Sequence, residues 1–405
     1  MIVILSDTRF DAHSGEIRRA LEAKFAGLPI EIVDSSQPRS WTQPETWSDA
    51  LVVPFDGAPL SSDGLRFVEA AQRRSPPPFI LPVATSPSAR VPPAPLDGIK
   101  ALPFDADGFA RGCARIGARL GLALRSRDHT IFISYRAVDG TSLAAQFENY
   151  LKSEGYKVWR DDARDDFDGQ TSIGPGEPVQ QQIEANLSRA DLVLLLDTPR
   201  ASESEWINIE ISLANGNLIP VLPVLFRRRN ERVLCSRFRM LDTLQRTVAL
   251  DLPGSDAPPS VDQSFLESVL TEMEAFLCEI FQRRLSLPLQ VRNAFLADNY
   301  DWNQRDRFVY EALKKSQGRL VHRVFSHCSP FDGVYDPALR TFVQHFRGID
   351  PRANYALYVY DGLVIPPAQL RQIELAAELV NSTEVILLHH SEVLAVLKSN
   401  FANRP

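Results

Sequence analysis

The sequence predicts an α/β protein made of three consecutive units, each built on a parallel sheet. Short apolar segments rich in β-branched residues alternate along the chain with segments of helical periodicity, beginning with Ile2–Leu5 and Glu16–Phe25. Strands that alternate with helices are typical of parallel sheets covered by helices on both faces. A chain of 405 residues has room for two or three such domains.

The first unit covers residues 1–124. Its predicted strands are short apolar runs, and its predicted helices carry apolar residues at helical spacing. The strands are Ile2–Leu5, Ile30–Val33, Ala50–Pro54, Phe79–Val83 and Ile99–Pro103, and the helices are Glu16–Phe25, Leu65–Arg74 and Gly108–Leu122.

The second unit covers residues 128–285 and repeats this order. Leu65–Glu69 of the first unit falls where Trp206–Glu210 falls in the second, so the two units share either an ancestor or only an architecture. The predicted strands are Thr130–Ser134, Tyr156–Trp159, Asp191–Leu196, Leu218–Leu225 and Thr247–Leu250, and the helices are Leu143–Glu154, Pro178–Ser188, Ser204–Ala214 and Gln263–Phe281.

The third unit covers residues 290–405. The segment that leads into it, Leu285–Arg307, is predicted to be a connector that packs against its neighbours. His389-His390 ends a predicted strand, but no cysteine or carboxylate stands near it at metal-ligand spacing, so we expect no metal site. The predicted strands are Val321–Ser326, Tyr355–Tyr360 and Glu384–His389, and the helices are Pro337–Phe346, Pro367–Val380 and Ser391–Asn400.

The composition describes an ordinary globular protein, with 44% hydrophobic and 23% charged residues. A formal charge of −7 argues against a dedicated nucleic-acid binder. The scattered cysteines predict buried free thiols and a cytoplasmic location. No apolar run is long enough to predict a membrane span, and Met1–Ser6 predicts a strand and not a signal peptide.

The helix predicted at 204–214 carries the most informative pattern. Ser202 and Glu205 have the spacing of a capping box, which predicts that the helix starts there, and Gly216 is placed to end it. Trp206 and Glu210 are four residues apart and share one helix face. This face lies at a strand-to-helix edge, where α/β sheets bind ligands. The alternative is a solvated glutamate beside a core tryptophan.

Four motifs in sequence order resemble a TIR (Toll/interleukin-1 receptor) domain of the prokaryotic branch. His129–Arg136 resembles the opening strand, and Leu151–Asp162 resembles the second strand and its acidic turn. Gly174–Pro178 resembles the loop that follows, and Ser204–Ile211 resembles the helix with the pattern S-x-W-x-x-x-E. The resemblance implies a flavodoxin-like fold for the second unit.

TIR domains of this branch are commonly NAD⁺ glycohydrolases, and the resemblance implies Glu210 as the catalytic residue. A carboxylate suits this chemistry because cleavage of the nicotinamide–ribose bond passes through an oxocarbenium-like state. Nicotinamide is already cationic while bound to ribose and leaves as a neutral molecule, so no strong general acid is required. The expected products are nicotinamide and ADP-ribose or a cyclised form, with NAD⁺ as substrate and no cofactor.

The remaining substrate-binding candidates are Tyr135, Arg136, Trp159, Ser202 and Trp206. Tyr135 and Arg136 end the first strand, where they can meet pyrophosphate or nicotinamide, although Arg136 is equally a solvated loop charge. For Trp159 the two alternatives are stacking on a base of the substrate and packing in the core. For Ser202 they are contact with the substrate and capping of the helix alone.

The resemblance also implies a biological setting and partners. Proteins of this organisation resemble bacterial anti-phage effectors, whose flanking units sense a partner protein or nucleotide signal, or assemble the protein. We therefore expect a homo-oligomer, with a site completed by the Asp165–Pro178 loop of a neighbouring copy. The rival hypothesis is a TIR scaffold that only binds other TIR domains, with Glu210 as a surface residue. A nucleotide-binding first unit is less favoured because it lacks a glycine-rich phosphate loop.

Overall fold

The computed structural model describes most of the predicted elements. The described residues are 2–7, 11–25, 28, 30–35, 50–75, 77–89, 91–104, 109–125, 130–160, 183, 185–187, 190–216, 219–228, 248–252, 261–306, 309–328, 355–361, 371, 385–399 and 401. They contain three five-stranded sheets.

The first sheet is entirely parallel, with strand order β2-β1-β3-β4-β5. Residues of alternate strand positions, such as Val3, Leu51 and Val53, share a buried cluster with Val68 of a covering helix. The strands are β1 (Ile2–Ser6), β2 (Ile30–Asp34), β3 (Ala50–Phe55), β4 (Phe79–Ala84) and β5 (Leu102–Pro103), and the helices are α1 (Asp11–Lys24), α2 (Ser62–Gln72) and α3 (Ala110–Arg125).

The second sheet is also parallel and has the equivalent order, β7-β6-β8-β9-β10. This is the flavodoxin-like order 2-1-3-4-5, which confirms the predicted fold of this unit. The strands are β6 (Thr130–Ser134), β7 (Lys157–Arg160), β8 (Leu192–Asp197), β9 (Val221–Arg228) and β10 (Val248–Leu252), and the helices are α4 (Ala137–Ser153) and α5 (Glu205–Gly216). The helix predicted at Pro178–Ser188 lies largely outside the described residues.

The third sheet is mixed, so the prediction of three parallel sheets is wrong for this unit. The first three strands pair antiparallel and the last three pair parallel. The strands are β11 (Asp301–Asp306), β12 (Val309–Ser316), β13 (Arg319–His327), β14 (Tyr355–Tyr360) and β15 (Val385–His389). The helices predicted at Pro337–Phe346 and Pro367–Val380 lie outside the described residues, apart from Arg371.

A long helix, α6 (Gln263–Ala297), runs across the expected boundary at residues 285–290. Together with β11 it takes the place of the connector predicted at Leu285–Arg307. The helix continues through Pro288, although proline removes one backbone hydrogen bond. Leu287, Val291 and Phe295 recur at four-residue spacing and are buried in the core of the third sheet. This burial explains why the helix extends past the predicted end at Phe281. A short helix, α7 (Val393–Lys398), follows the third sheet.

The chain divides into two compact units. One contains residues 1–127 and 267–282, and the other contains residues 128–266 and 283–405. The three-domain boundaries taken from the sequence remain a prediction. Cys113, Cys278 and Cys328 are buried free thiols, as predicted, and Cys235 lies outside the described residues. Among the described residues, none of the helices combines the length and apolar character needed to cross a bilayer.

A buried ion pair links two helices inside the first compact unit. Arg115 Nε of α3 donates to Glu274 Oε1 of α6 at 2.7 Å, and both side chains are almost fully buried. Removing one partner of a buried pair is costly because the other charge stays in a low-dielectric environment.

We therefore expect Glu274→Ala to lower the free energy of unfolding by about 3–5 kcal/mol in urea denaturation. Glu69→Ala is the matched control, since its ion pair with Arg73 is exposed. That control should cost less than about 1 kcal/mol. Equal losses for the two variants would show that burial of the Arg115–Glu274 pair contributes nothing to stability.

Candidate active site

The candidate site lies at the carboxyl edge of the second sheet, between β6 and β8. These two strands are neighbours in the sheet, but the chain leaves β6 toward β7 on one side and leaves β8 toward β9 on the other. Open α/β sheets bind ligands in the crevice that forms at such a reversal of strand order. Strand β6 ends at Ser134 and strand β8 ends at Asp197.

Glu210 of α5 reaches this edge and meets the end of β6. Ser134 Oγ donates a hydrogen bond to Glu210 Oε2 at 2.5 Å, and both residues are buried. Only 6% of Glu210 is exposed, so the alternative of a solvated surface glutamate is wrong. Helix α5 is held over the sheet because Ile207 and Ile211 pack into one core cluster with Val193 and Leu195 of β8.

Trp206 is 48% exposed, so the tryptophan does not belong to the core. It stands in the first turn of α5, one turn before Glu210. The two side chains therefore lie along one side of the helix but differ in depth. Ile209 in the same helix is 39% exposed. An exposed indole one turn from a buried carboxylate presents an aromatic surface to solvent at the site.

The start of α5 differs from the predicted capping box. Ser202 lies in a short 3-10 turn, Ala201–Glu203, and the residue before the helix is Ser204. Ser204 Oγ accepts from the backbone N–H of Ile207 at 3.4 Å, and its carbonyl accepts from Asn208 Nδ2. The capping assignment to Ser202 is therefore wrong by two residues, whereas the predicted end at Gly216 is confirmed.

Arg136 links the segment after β6 to the turn after β8. Its Nη1 donates to the carbonyl of Arg200 at 2.6 Å and to Glu203 Oε2 at 2.5 Å. Hydrogen bonds from Arg136 and then from Arg200 hold the pKa of the Glu203 carboxyl below its usual value. Asp139 Oδ2 accepts from the backbone N–H of Arg200. Arg136 is therefore a fixed cation at the site edge and not a freely solvated loop charge.

Tyr135 and Trp159 have different surroundings. Tyr135 follows Ser134 and is half-buried, and a Cβ at Gly140 would lie 3.2 Å from Tyr135 Cβ, so glycine permits this close approach. Trp159 is buried and stacks on Phe132 of β6 with ring centroids 4.7 Å apart. This packing favours the core role for Trp159, and its role in substrate binding remains only a prediction.

Sequence reasoning did not select Ser134. The available signal was a small polar residue that closes the apolar strand Thr130–Ser134. Its partner lies 76 residues further on, so only the sheet topology brings the two together. The predicted loop Asp165–Pro178 lies outside the described residues.

The equivalent edge of the first sheet is built differently. Glu69, which aligns with Glu210, lies on the surface and pairs with Arg73 of the same helix. Asp7, just after β1, is buried and accepts the backbone N–H of Ser61 at the start of α2. At this edge the buried carboxylate therefore accepts a backbone N–H from a helix terminus, whereas the Glu210 carboxylate accepts from the Ser134 side chain.

A protein-family model for the TIR domain matches residues 131–258, which include β6, α5 and Glu210. The central part of this chain is a TIR domain. The match covers the second sheet and leaves the first and third sheets without a family assignment. No curated protein matches the chain in sequence.

Several solved structures are similar to the chain at low identity. One contains the TIR domains of the activated Roq1 resistosome recognising the pathogen effector XopQ, at 16% identity, a TM-score of 0.21 and coverage of 24% of this chain. The chain spans 57% of the length of that protein. Another is a metazoan TIR-STING receptor from C. gigas, at 14% identity and a TM-score of 0.24, covering 67% of this chain and 96% of the receptor.

A third is the C-terminal domain of glucosamine-fructose-6-phosphate aminotransferase from Francisella tularensis. It is 10% identical with a TM-score of 0.20, and the match covers 69% of this chain and 85% of that domain. Superpositions with scores this low carry no argument about the activity of the chain.

The Ser134–Glu210 hydrogen bond can be tested independently of activity. We expect Ser134→Ala to lower the free energy of unfolding by about 1–3 kcal/mol, because the variant removes a donor from a buried carboxylate. Ser212→Ala is the control, since Ser212 is an exposed serine of α5 whose hydroxyl donates to the carbonyl of Asn208. A Ser134→Ala variant as stable as the control in urea denaturation would contradict a stabilising role for this bond.

Proposed function

We propose that the TIR domain is an NAD⁺ glycohydrolase in which Glu210 is the catalytic residue. The observation that carries the proposal is the buried Glu210 carboxylate, held by Ser134 where the strand order reverses. A carboxylate in a largely buried site interacts with a developing positive charge more strongly than one in water.

The reaction breaks the bond between ribose C1′ and the nicotinamide nitrogen. Electrons of that bond leave with nicotinamide, which becomes neutral, and positive charge develops on the ribose ring. Glu210 stabilises this charge. Water then bonds to C1′ and releases a proton, giving ADP-ribose, or a nucleophile within the same molecule gives a cyclised product. The Ser134 hydroxyl fixes the direction of the Glu210 carboxylate in this scheme.

Two further residues have properties suited to the rest of the dinucleotide. Trp206 offers an exposed indole face on which a nucleobase or the nicotinamide ring can stack. Arg136 is a fixed cation after β6, and guanidinium groups bind phosphate oxygens well. Its present partner, Glu203, is a surface carboxylate that a pyrophosphate can replace. Tyr135 and Ser202 remain predicted contacts.

We further propose that this activity serves bacterial anti-phage defence, in which depletion of NAD⁺ or a nucleotide product follows infection. The first and third sheets lie outside the matched TIR region and are the proposed place for sensing or assembly. A cytoplasmic location fits this role, because NAD⁺ is an intracellular substrate.

The decisive substitution is Glu210→Gln, which keeps the side-chain size and an acceptor for Ser134 but removes the charge. We expect NAD⁺ cleavage, followed as nicotinamide release, to fall by about tenfold or more with little loss of stability. Glu69→Gln is the matched control because it makes the same change at the aligned position of the first sheet, where the glutamate is exposed. Its activity should equal that of the unmodified chain. Full nicotinamide release by Glu210→Gln would exclude the catalytic role.

A TIR scaffold is the second candidate, and exposed apolar side chains favour it. Val138 at the start of α4 is exposed, as are Trp206 and Ile209 of α5. Exposed apolar side chains of this size are suited to burial against another copy of the domain. Absence of nicotinamide release under every condition, together with self-association, would favour the scaffold over the enzyme.

Assembly and catalysis can also occur together. If the active form is an oligomer, nicotinamide release per molecule should rise as the protein concentration is increased a hundredfold, because association follows mass action. Ile209→Glu should flatten this dependence, since it places a charge on the exposed apolar surface. Constant activity per molecule from a species that stays monomeric in light scattering would rule out activation by assembly.

A further inference from the structure

Three side chains of metal-ligand type meet at the carboxyl edge of the third sheet. Asp361 follows β14, His389 ends β15, and His390 comes directly after it. One ligand atom from each of the three lies within 4.8 Å of the others. The two strands are parallel neighbours in which Tyr360 pairs with His389, so Asp361 and His390 take the next positions along the same edge.

A break in the strand brings the two consecutive histidines together. In a continuing strand, adjacent side chains would point to opposite faces of the sheet. Here the chain turns into a short 3-10 helix, His390–Glu392, directly after His389. The two imidazole centroids are 4.3 Å apart, with the ring planes inclined at 41°. Both rings therefore reach the same space beside Asp361.

His390 carries the clearest sign of a missing partner. Within the described residues, its buried Nδ1 atom has no hydrogen-bond partner. The same atom lies 3.9 Å from Asp361 Oδ1, which is too far for a hydrogen bond. Two ligands of one tetrahedral Zn²⁺ ion lie about 3.4 Å apart, since the bonds are about 2.0–2.2 Å long. Small side-chain rotations would bring the two atoms to that separation.

Neighbouring groups hold the ring of His389 in place. Its Nδ1 atom lies 2.7 Å from Ser391 Oγ and accepts the backbone N–H of Ser391 at 3.4 Å, and the His389 backbone N–H donates to Glu392 Oε2. A histidine ligand commonly donates its second ring N–H to an oxygen, which fixes the ring and leaves the other nitrogen for the metal. A metal ion bound at His389 Nε2 would select the tautomer in which Nδ1–H donates to Ser391 Oγ, at the cost of the long bond from the Ser391 backbone N–H.

We propose that Asp361, His389 and His390 form a binding site for a divalent transition-metal ion, with Zn²⁺ as the favoured ion. Two imidazoles and one carboxylate are a donor set that binds ions of this class. With three protein ligands, a tetrahedral ion would keep a fourth position for water or another ligand. The expectation of no metal site rested on the lack of a cysteine or carboxylate at metal-ligand spacing in the sequence, and the fold supplies Asp361.

This site is separate in the sequence from the TIR domain, and its test does not depend on NAD⁺ cleavage. The full-length chain should be prepared without a histidine tag and treated with a chelator, which is then removed by dialysis. Zn²⁺ is added in competition with a chromophoric chelator of known affinity. We expect one tight site per chain. His390→Ala and Asp361→Asn should each weaken that site by more than the about 10- to 100-fold that loss of an outer-shell partner costs.

His13→Ala is the matched control, because His13 contacts the ring of Phe104 and lies outside the cluster. This variant should bind Zn²⁺ as the unmodified chain does. Asp361→Asn keeps the side-chain volume, and thermal unfolding without metal checks that each variant is folded. Replacement of Zn²⁺ by Co²⁺ gives a second readout, since its visible absorption reports coordination by nitrogen and oxygen.

Absence of a stoichiometric Zn²⁺ site in the unmodified chain would overturn the proposal. Equal affinity in Asp361→Asn, His390→Ala and His13→Ala would do the same, because it would place the bound ion elsewhere. In either case the Asp361–His390 proximity would be a simple contact between a carboxylate and an imidazole.

Discussion

The constraint on which the candidate sites depend is the direction of the strands. In a parallel sheet every strand ends at the same edge, so residues far apart in sequence come together there without any local signal. Ser134 ends β6, and Glu210 follows β8 in the next helix. The hydrogen bond between them follows from the pairing of β6 with β8. A one-residue shift of this register would send the Ser134 side chain to the other face of the sheet.

Each of the three sheets has polar residues at this edge, but their chemical surroundings differ. In the first sheet the Asp7 carboxylate accepts a backbone N–H from the start of α2, as in a helix cap. In the second, the Glu210 carboxylate accepts from the Ser134 hydroxyl, and Arg136, two residues after Ser134, is bound to the carbonyl of Arg200. In the third, Asp361 faces two imidazoles. The ends of neighbouring parallel strands thus set where side chains meet, and the side chains at each edge decide which chemistry can occur.

Sequence patterns predicted the parallel sheets well because their strands are short runs of buried, β-branched residues. The antiparallel strands β11 and β12 were missed because they are polar. Glu311 of β12 has the charge of a typical surface residue, but it is fully buried and forms ion pairs with Arg305 and Arg323. The extent of α6 was missed for a related reason. Its last three turns are held by burial in the third sheet, which outweighs the effect of Pro288.

In the candidate site, sequence patterns identified the helix and the glutamate but not their surroundings. The spacing of Trp206 and Glu210 correctly placed both on one side of α5. Sequence spacing does not show how deeply a side chain is buried, however, so it could not tell which of the two residues is buried. The depth depends on where the helix axis crosses the sheet edge, which Ile207 and Ile211 determine by packing against β8. Sequence patterns did not identify Ser134 and Asp361 because their partners, Glu210 and the two histidines, are distant in sequence.

The contrast between Glu210 and Glu69 shows why fold and alignment do not suffice to assign chemistry. Both glutamates stand at corresponding positions of sheets with the same strand order. Glu69 is solvated, and its charge is screened by water and by Arg73 of the same helix turn. Glu210 is shielded from water and accepts a hydrogen bond from the Ser134 hydroxyl, so its carboxylate interacts more strongly with a nearby charge than an exposed carboxylate does. A carboxylate that must stabilise a cationic transition state needs the second environment. Strands β1 and β6 both end in a buried serine, Ser6 and Ser134, so the strand end alone does not create that environment. It arises because α5 buries Glu210 against Ser134, whereas the glutamate of α2 stays at the surface beside Arg73.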